Sequence, residues 1–427
     1  MKKIIITFIL LFSLHTVSAV DANFLTLSDI HYLKGGPVVG YHQGDAGDVL
    51  WQSTQQQLQQ RILQDQPQFM VLLGDLPAPD DTTRTTNIQV VLQDLSSTLK
   101  IPVFYVPGNN DALGNDLKDG DNHSFTNNQG INLFSLDPNK GWPALNADQA
   151  CGSVADTHSA CLINPKEPTM AKFGYYAARP LGQANKLRLI VLNSVIFLSH
   201  YVSDDGVSQE KATTEELTWL KGQLAQALTT GDSVLIALHV PPGLDAYSNA
   251  PMWNETLPAE ATFMADITAY QAIIKGVLYG HTHMDEFRRL NNSDASLAVV
   301  ALSSPGVTSD HYNSPGFKSF TYDENFTLTD AKTYYTDPLN SAKWHSYGFK
   351  AIYGCTETTL FSCAAGFSRQ DDAFLTVYKE HYAVANPDFK PNYWPNILAA
   401  IDVPATSIIH HSTDNLFFHW TLMLKGK

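Results

Sequence analysis

The stretch Gly276-Val277-Leu278-Tyr279-Gly280-His281-Thr282-His283 decides how this chain folds: a short apolar run stops at a glycine and opens into two histidines. Such a run reads as a buried strand, and the glycine marks where the chain turns. In an extended segment, alternation aims the imidazoles of His281 and His283 the same way. The same grammar occurs four more times. Phe24 to Leu27 precedes Ser28-Asp29-Ile30-His31, and Phe69 to Leu73 precedes Gly74-Asp75. Pro102 to Val106 precedes Gly108-Asn109-Asn110-Asp111, and Ser233 to Leu238 runs into His239.

Leu187 to Leu192 and Ser296 to Leu302 complete the set of apolar, β-branched-rich runs. Runs of this kind, without polar alternation, are strands buried on both faces. Helical spacing appears between them at Trp51, Leu58 and Ile62; at Ile88, Val91, Leu92, Leu95 and Leu99; at Leu217, Leu220, Leu224 and Leu228; and at Phe263, Ile267, Tyr270 and Ile274. Thr213 followed by Glu216 has the form of a capping box opening the third helix. Strands alternating with helices predict an α/β layered domain.

In an open α/β sheet, ligands gather beyond the carboxyl ends of the strands, where the five polar blocks fall. Two aspartates, several histidines and an asparagine make a mixed nitrogen and oxygen donor set, suited to zinc, iron or manganese and unlike the all-oxygen sets of calcium. Two divalent ions against the carboxylates of Asp29 and Asp75 leave positive charge to attract phosphate and to lower the pKa of water. Singly each block is ordinary. Asp-x-His recurs by chance among fifteen histidines, Gly-Asp is a common turn, and a histidine after a strand is commonly a core residue. Five blocks in order, each after a strand, are not.

The chain opens Met1-Lys2-Lys3, continues through apolar Ile4 to Leu14, and reaches Val17-Ser18-Ala19, the pattern of a cleaved export signal at 1–19. The apolar run is too short for a membrane anchor, and no later stretch reaches the roughly 18 apolar residues of a spanning helix. Loss of Lys2 and Lys3 takes the formal charge from -15 to -17, a balance that disfavours duplex nucleic acid and anionic lipid. Four cysteines fall into two close pairs, and in an exported chain Cys151–Cys161 and Cys355–Cys363 are the simplest disulfides. A four-thiolate zinc site lacks the expected Cys-x-x-Cys spacing.

The ordered blocks resemble the calcineurin-like metallophosphoesterase superfamily. They look most like its acid sphingomyelinase-like branch, through His239-Val240-Pro241-Pro242-Gly243, Tyr279 to His283, Ser304-Pro305-Gly306-Val307-Thr308 and Pro315-Gly316-Phe317. The resemblance runs from about Phe24 to Tyr335. It implies a layered β-sandwich flanked by helices. One metal would be held by Asp29, His31, Asp75 and His283, and a second by Asp75, Asn109, His239 and His281, with Asp75 bridging. The implied cofactors are two divalent ions, zinc first, with iron or manganese as alternatives. The implied reaction is in-line attack on phosphorus by a hydroxide between the metals, cleaving phosphodiester or phosphoanhydride bonds.

Two positions depart from that pattern. Most of the superfamily has His where this chain has Asn110, and the sphingomyelinase-like branch often has His where this chain has Pro79. A carboxamide donates a hydrogen bond but cannot serve as a general acid near neutral pH. The Gly-Asn-Asn-Asp wording also resembles vacuolar endopolyphosphatases. Substrates with good leaving groups are therefore expected: nucleotides, polyphosphate and activated diesters, ahead of sphingomyelin or phospholipid. Asn110 and His123 are the candidate catalytic residues, with His42 a further candidate donor. A metal-binding protein with little turnover is the rival reading.

The expected organisation is a phosphoesterase domain at 20–335, interrupted by an irregular insertion at 112–172, and a mainly helical accessory region at 336–427. Asn122, Asn254, Asn291 and Asn325 begin N-glycosylation patterns, meaningful only on a eukaryotic secretory route.

Overall fold

The apolar runs form strands because each is covered on both faces. The computed structural model describes residues 21–79, 82–111, 122–123, 144–147, 150–152, 157–165, 168–199, 201–202 and 206–405. The expected signal at 1–19 and most of the 112–172 insertion lie outside the described residues.

One sheet contains β1 (Ala22–Leu27), β2 (Met70–Leu72), β3 (Val103–Tyr105), β5 (Ala144–Leu145), β14 (Gly316–Tyr322), β15 (Leu328–Asp337) and β16 (Asn340–Gly348), ordered β16-β15-β14-β1-β2-β3-β5. The second contains β6 (Cys161–Ile163), β7 (Tyr176–Arg179), β8 (Leu187–Val191), β10 (Ser233–Ala237), β11 (Ile274–Tyr279), β12 (Phe287–Asn291), β13 (Leu297–Ser303) and β17 (Asp402–Val403), ordered β17-β12-β13-β11-β10-β8-β7-β6. A small pair joins β4 (Asn122–His123) to β9 (Tyr201–Val202). In the first sheet β1, β2 and β3 run parallel, Leu25 opposite Met70 and Met70 opposite Val103. In the second, β8, β10, β11 and β13 are likewise parallel.

The helices are α1 (Asp48–Asp65), α2 (Arg84–Thr98), α3 (Pro168–Phe173), α4 (Gln209–Thr230), α5 (Ala259–Tyr270), α6 (Phe349–Tyr353), α7 (Leu360–Ala365), α8 (Asp372–His381) and α9 (Trp394–Ala399). Phe24, Phe69, Val71 and Phe104 of the first sheet share a core with Leu189, Leu235, Leu278 and Val300 of the second. Their neighbours along the chain, Leu25, Met70, Leu72 and Val103, point the other way, against Trp51, Leu58, Ile88 and Val91 of α1 and α2. Ile190, Val234 and Ile236 likewise meet Leu217, Leu220 and Phe263 of α4 and α5. The result is the layered α/β sandwich flanked by helices.

Three sequence readings change. Ile274 opens β11 instead of closing a helix. Helix α4 starts a turn before the expected capping box, because Ser208 Oγ accepts the Lys211 N–H. Thr213 and Glu216 are consequently buried inside it, and the Glu216 carboxyl accepts the Asn193 N–H at 2.7 Å. The strand run also continues past 335: the expected boundary falls within β15, and β16 extends the same sheet to Gly348.

Beyond Gly348 the chain is mainly helical. Phe349, Phe367, Phe374 and Tyr378 gather around Phe287, and β17 pairs with β12, so this region packs along the β12 edge of the second sheet. Cys151–Cys161 and Cys355–Cys363 are disulfides. Among the described residues no helix is long and apolar enough to cross a membrane.

Candidate metal centre

Because the sheets face each other with their parallel strands ending together, loops from five strands converge. Asp29 and His31 follow β1, Asp75 follows β2 and Asn109 follows β3; His239 follows β10, and His281 and His283 follow β11. Five of these seven residues have left-handed backbone: Asp29 (φ 47°), His31 (46°), Asp75 (55°), His281 (68°) and His283 (61°). Side chains rarely adopt this region, and such strain concentrates at functional sites. It also corrects the extended reading of Gly280 to His283. The segment turns, and its two imidazoles serve different groups of ligands. Gly280 is obligatory there, since a Cβ would lie 2.0 Å from Ser28 Oγ.

Two groups of donor atoms form, each within 4.8 Å: Asp29 with His31 and His283, and Asp75 with His239 and His281. His31 Nε2 and His239 Nε2 lie 3.4 and 3.3 Å from the same oxygen of Asp75, Oδ2. His283 Nε2 lies 3.4 Å from Asp29 Oδ1. Asp29 Oδ2 is satisfied from behind by Ser28 Oγ at 2.5 Å and the His281 N–H at 2.9 Å, which directs Oδ1 toward the imidazoles.

Fit to divalent ions is tested by the buried atoms that lack a protein partner. Among the described residues, His31 Nε2, His239 Nε2 and Asn109 Oδ1 are buried and find no hydrogen-bond partner. An unpaired buried polar atom is costly, and three in one cleft fit ligands of a cation. The dinuclear donor set therefore fits: Asp29, His31 and His283 on one side, Asp75, His239, His281 and Asn109 on the other.

Electrostatics point the same way. Burial drives Asp29 up to about 6 despite His239 nearby. Burial opposes charge on His31, but the Asp45 and Asp75 carboxylates outweigh it and lift the imidazole to about 10. Burial is likewise overcome at His239, which the Asp75 and Asp29 carboxylates lift to about 9. Burial also opposes charge on Asp75, but His239 and His31 hold it well below the usual range. His281 falls to about 3, by burial and the neighbouring His239. Without ions the two carboxylates are thus balanced by protons on two imidazoles, protons that metal would displace.

The centre opens onto a cavity of about 250 Å³ lined by His31, Asp75, Asn109, Asn110, Tyr247, His281, His283, His311 and Tyr382, among others. Asn110 is tied to Asp75 by its backbone N–H and its carboxamide, not aimed into open space. The backbone of His123 lies in β4, and its side chain is outside the described residues. His42 bonds the Asp310 carbonyl through Nδ1 and stacks on Tyr312 at 4.4 Å, on the surface side of the loop that carries His311.

Sequence reading missed two residues. Asp111 is buried and accepts from the N–H groups of Asp75, Leu76 and Gly108 and from Tyr105 Oη, so it shapes both loops that carry Asp75 and Asn109. His311 lies 4.1 Å ring to ring from His283 and bonds Tyr247 Oη through Nδ1 at 3.1 Å. Burial and the proximity of His31 push it below its ordinary value, which favours the neutral ring. It follows the carboxyl end of β13, the rule that picked out the other blocks.

A family model described as calcineurin-like phosphoesterase matches residues 22–285. The chain is 26% identical over 287 residues to the acid sphingomyelinase-like phosphodiesterase 3b of Mus musculus, covering 64% of this chain and 57% of that one. It is 25% identical over 344 residues to a cyclic GMP-AMP phosphodiesterase of Homo sapiens, covering 74% and 68%. The chain spans about half the length of the first curated relatives it matches, 44% and 57% of two of them. A dimetal phosphatase from Danio rerio superimposes with a TM-score of 0.43 and 16% identity, over 76% of this chain and 98% of that one.

Proposed function

The chain belongs to the calcineurin-like phosphoesterase family, and from that membership and its donor arrangement we propose that it is a metal-dependent hydrolase of phosphoric esters acting as a phosphodiesterase. One observation carries the reading: the Asp29, His31, His283 group and the Asp75, His239, His281 group stand side by side at one cavity. Bound divalent ions supply Lewis-acid stabilisation of phosphoryl charge and a water of lowered pKa. Asp75 lies against imidazoles of both groups, His31 and His239, which supports its role as the shared ligand. Zinc suits the imidazole-rich donors best, with iron or manganese as alternatives.

The preferred substrates are phosphoanhydrides and diesters with good leaving groups. Asn110 is committed to Asp75, Pro79 carries no proton, and His311 is held toward its neutral form. None is a strong general acid, and a positioned acid is typically worth about 10²- to 10⁴-fold. Anhydrides and aryl esters need that help least. Export through the 1–19 segment, to the periplasm or outside the cell, agrees with the two disulfides.

The test is a hydrolysis panel of bis(p-nitrophenyl) phosphate, ATP, polyphosphate and sphingomyelin on one metal-analysed sample. Faster turnover of ATP or polyphosphate than of sphingomyelin is expected. Sphingomyelin far ahead of the anhydrides would overturn the substrate preference, and no turnover with both metals bound would overturn the enzyme reading.

A further inference from the structure

His31, His239 and His283 each present Nε2 to the centre and Nδ1 elsewhere, and what meets Nδ1 differs from ring to ring. His239 Nδ1 bonds the Leu73 carbonyl at 2.6 Å. His283 Nδ1 is buried and finds no hydrogen-bond partner among the described residues. His31 Nδ1 faces a carboxylate, Asp45 Oδ1, at 3.3 Å.

Asp45 reaches that position through backbone pairing and not through chance packing. The Ala46 N–H donates to the His31 carbonyl at 3.1 Å, and the Leu33 N–H donates to the Ala46 carbonyl at 2.9 Å. The residue before Ala46 is thereby held beside the residue two before Leu33. The ring of His31 is then fixed between Asp45 on Nδ1 and Asp75 on Nε2.

We infer that Asp45 is a positioning residue which fixes the tautomer and tilt of His31 and thereby sets the affinity of the Asp29, His31, His283 group for its ion. With the Nδ1 proton donated to Asp45, the Nε2 lone pair is left for metal, and the carboxylate makes the ring a stronger donor. Partners of this kind are typically worth about 10- to 100-fold in metal affinity. In the second group His239 relies on the Leu73 backbone carbonyl, so there is no carboxylate to lose behind that ring. The two ions should therefore respond unequally to changes at Asp45. This inference rests on the two-metal reading proposed above.

The experiment loads the full chain with zinc, dialyses it against graded chelator and counts bound zinc by elemental analysis, for wild type, Asp45→Ala and Asp45→Asn. Wild type should release its two ions at chelator strengths that define two affinities. Asp45→Ala should weaken one affinity about 10- to 100-fold and leave the other in place, so that one ion per chain remains over a wide chelator range. Asp45→Asn, which keeps an acceptor oxygen but no charge, should fall between. Unchanged affinities in Asp45→Ala, or equal weakening of both, would overturn the inference while leaving the metal reading intact. Failure of the wild-type chain to hold two ions would instead overturn the metal reading.

Discussion

Asn110 holds Asp75 at both carboxylate oxygens: its backbone N–H donates to Oδ1 at 2.8 Å and its carboxamide Nδ2 donates to Oδ2 at 2.7 Å. The asparagine standing where the resemblance leads one to expect histidine is therefore engaged with the carboxylate proposed to be shared between the metals. A hydrogen bond to a charged group is worth about 1.5–3 kcal/mol, which converts to roughly 10- to 100-fold. Asn110→Ala should lower kcat/KM on bis(p-nitrophenyl) phosphate by about that factor. Asn110→Asp, which sets a second carboxylate against Asp75, should lose more. Full activity in Asn110→Ala would show that the clamp is dispensable.

Metal uptake should release protons. In the ion-free centre His31 titrates near 10 and His239 near 9, so both rings carry protons at pH 7. Ligand nitrogens must give those protons up. Zinc affinity should thus weaken as pH falls from 9 to 6. Titration calorimetry in buffers of different ionisation enthalpy should report net proton release at pH 7, and buffer-independent heats would contradict it. The sign for stability is opposite. Raised imidazole values stabilise the ion-free fold fully below about 6.5, and that contribution is lost as pH rises through 9 to 10.

Asp111 is predicted to matter as much as a ligand without touching metal. Its carboxylate collects four donors, three of them backbone N–H groups of the Asp75 and Asn109 loops. In Asp111→Asn the amide end can no longer accept, and each buried donor left unpaired costs about 1–3 kcal/mol. Tm should fall by several degrees, and metal occupancy should fall with it. An unchanged Tm would mean the loops hold their shape without this carboxylate.

What could be read beforehand follows from how the chain is buried. Strands such as Phe69 to Leu73 are covered on both faces, so they stand out as unbroken apolar runs, and the polar blocks that follow them are conspicuous. Strands such as β16, with Lys343 and His345 exposed, carry no such run and were missed. The roles assigned to Asp45 and Asp111 depend on contacts between separate loops that no periodicity announces, and His311, although it follows β13, lies too far past the strand end to stand out. The turn at Gly280 to His283 escapes an extended reading because both histidines have positive φ and Gly280 approaches Ser28 and Asp29 closely, relationships that adjacent sequence does not reveal.

Glu216 offers a test of the core independent of the metal centre. It is fully buried inside α4; one oxygen accepts the Asn193 N–H, and the other finds no partner among the described residues. Burial pushes its carboxyl well above the ordinary value of 4.5, so the folded state keeps a proton that the unfolded chain gives up. A raised acid makes the folded state bind more protons than the unfolded one, so stability falls as pH rises from about 4.5 toward the folded value. Glu216→Gln retains an acceptor for Asn193 and removes the titration. Its Tm should exceed that of wild type by more at pH 8 than at pH 5. Parallel Tm–pH curves for the two proteins would show that Glu216 is ionised in the fold.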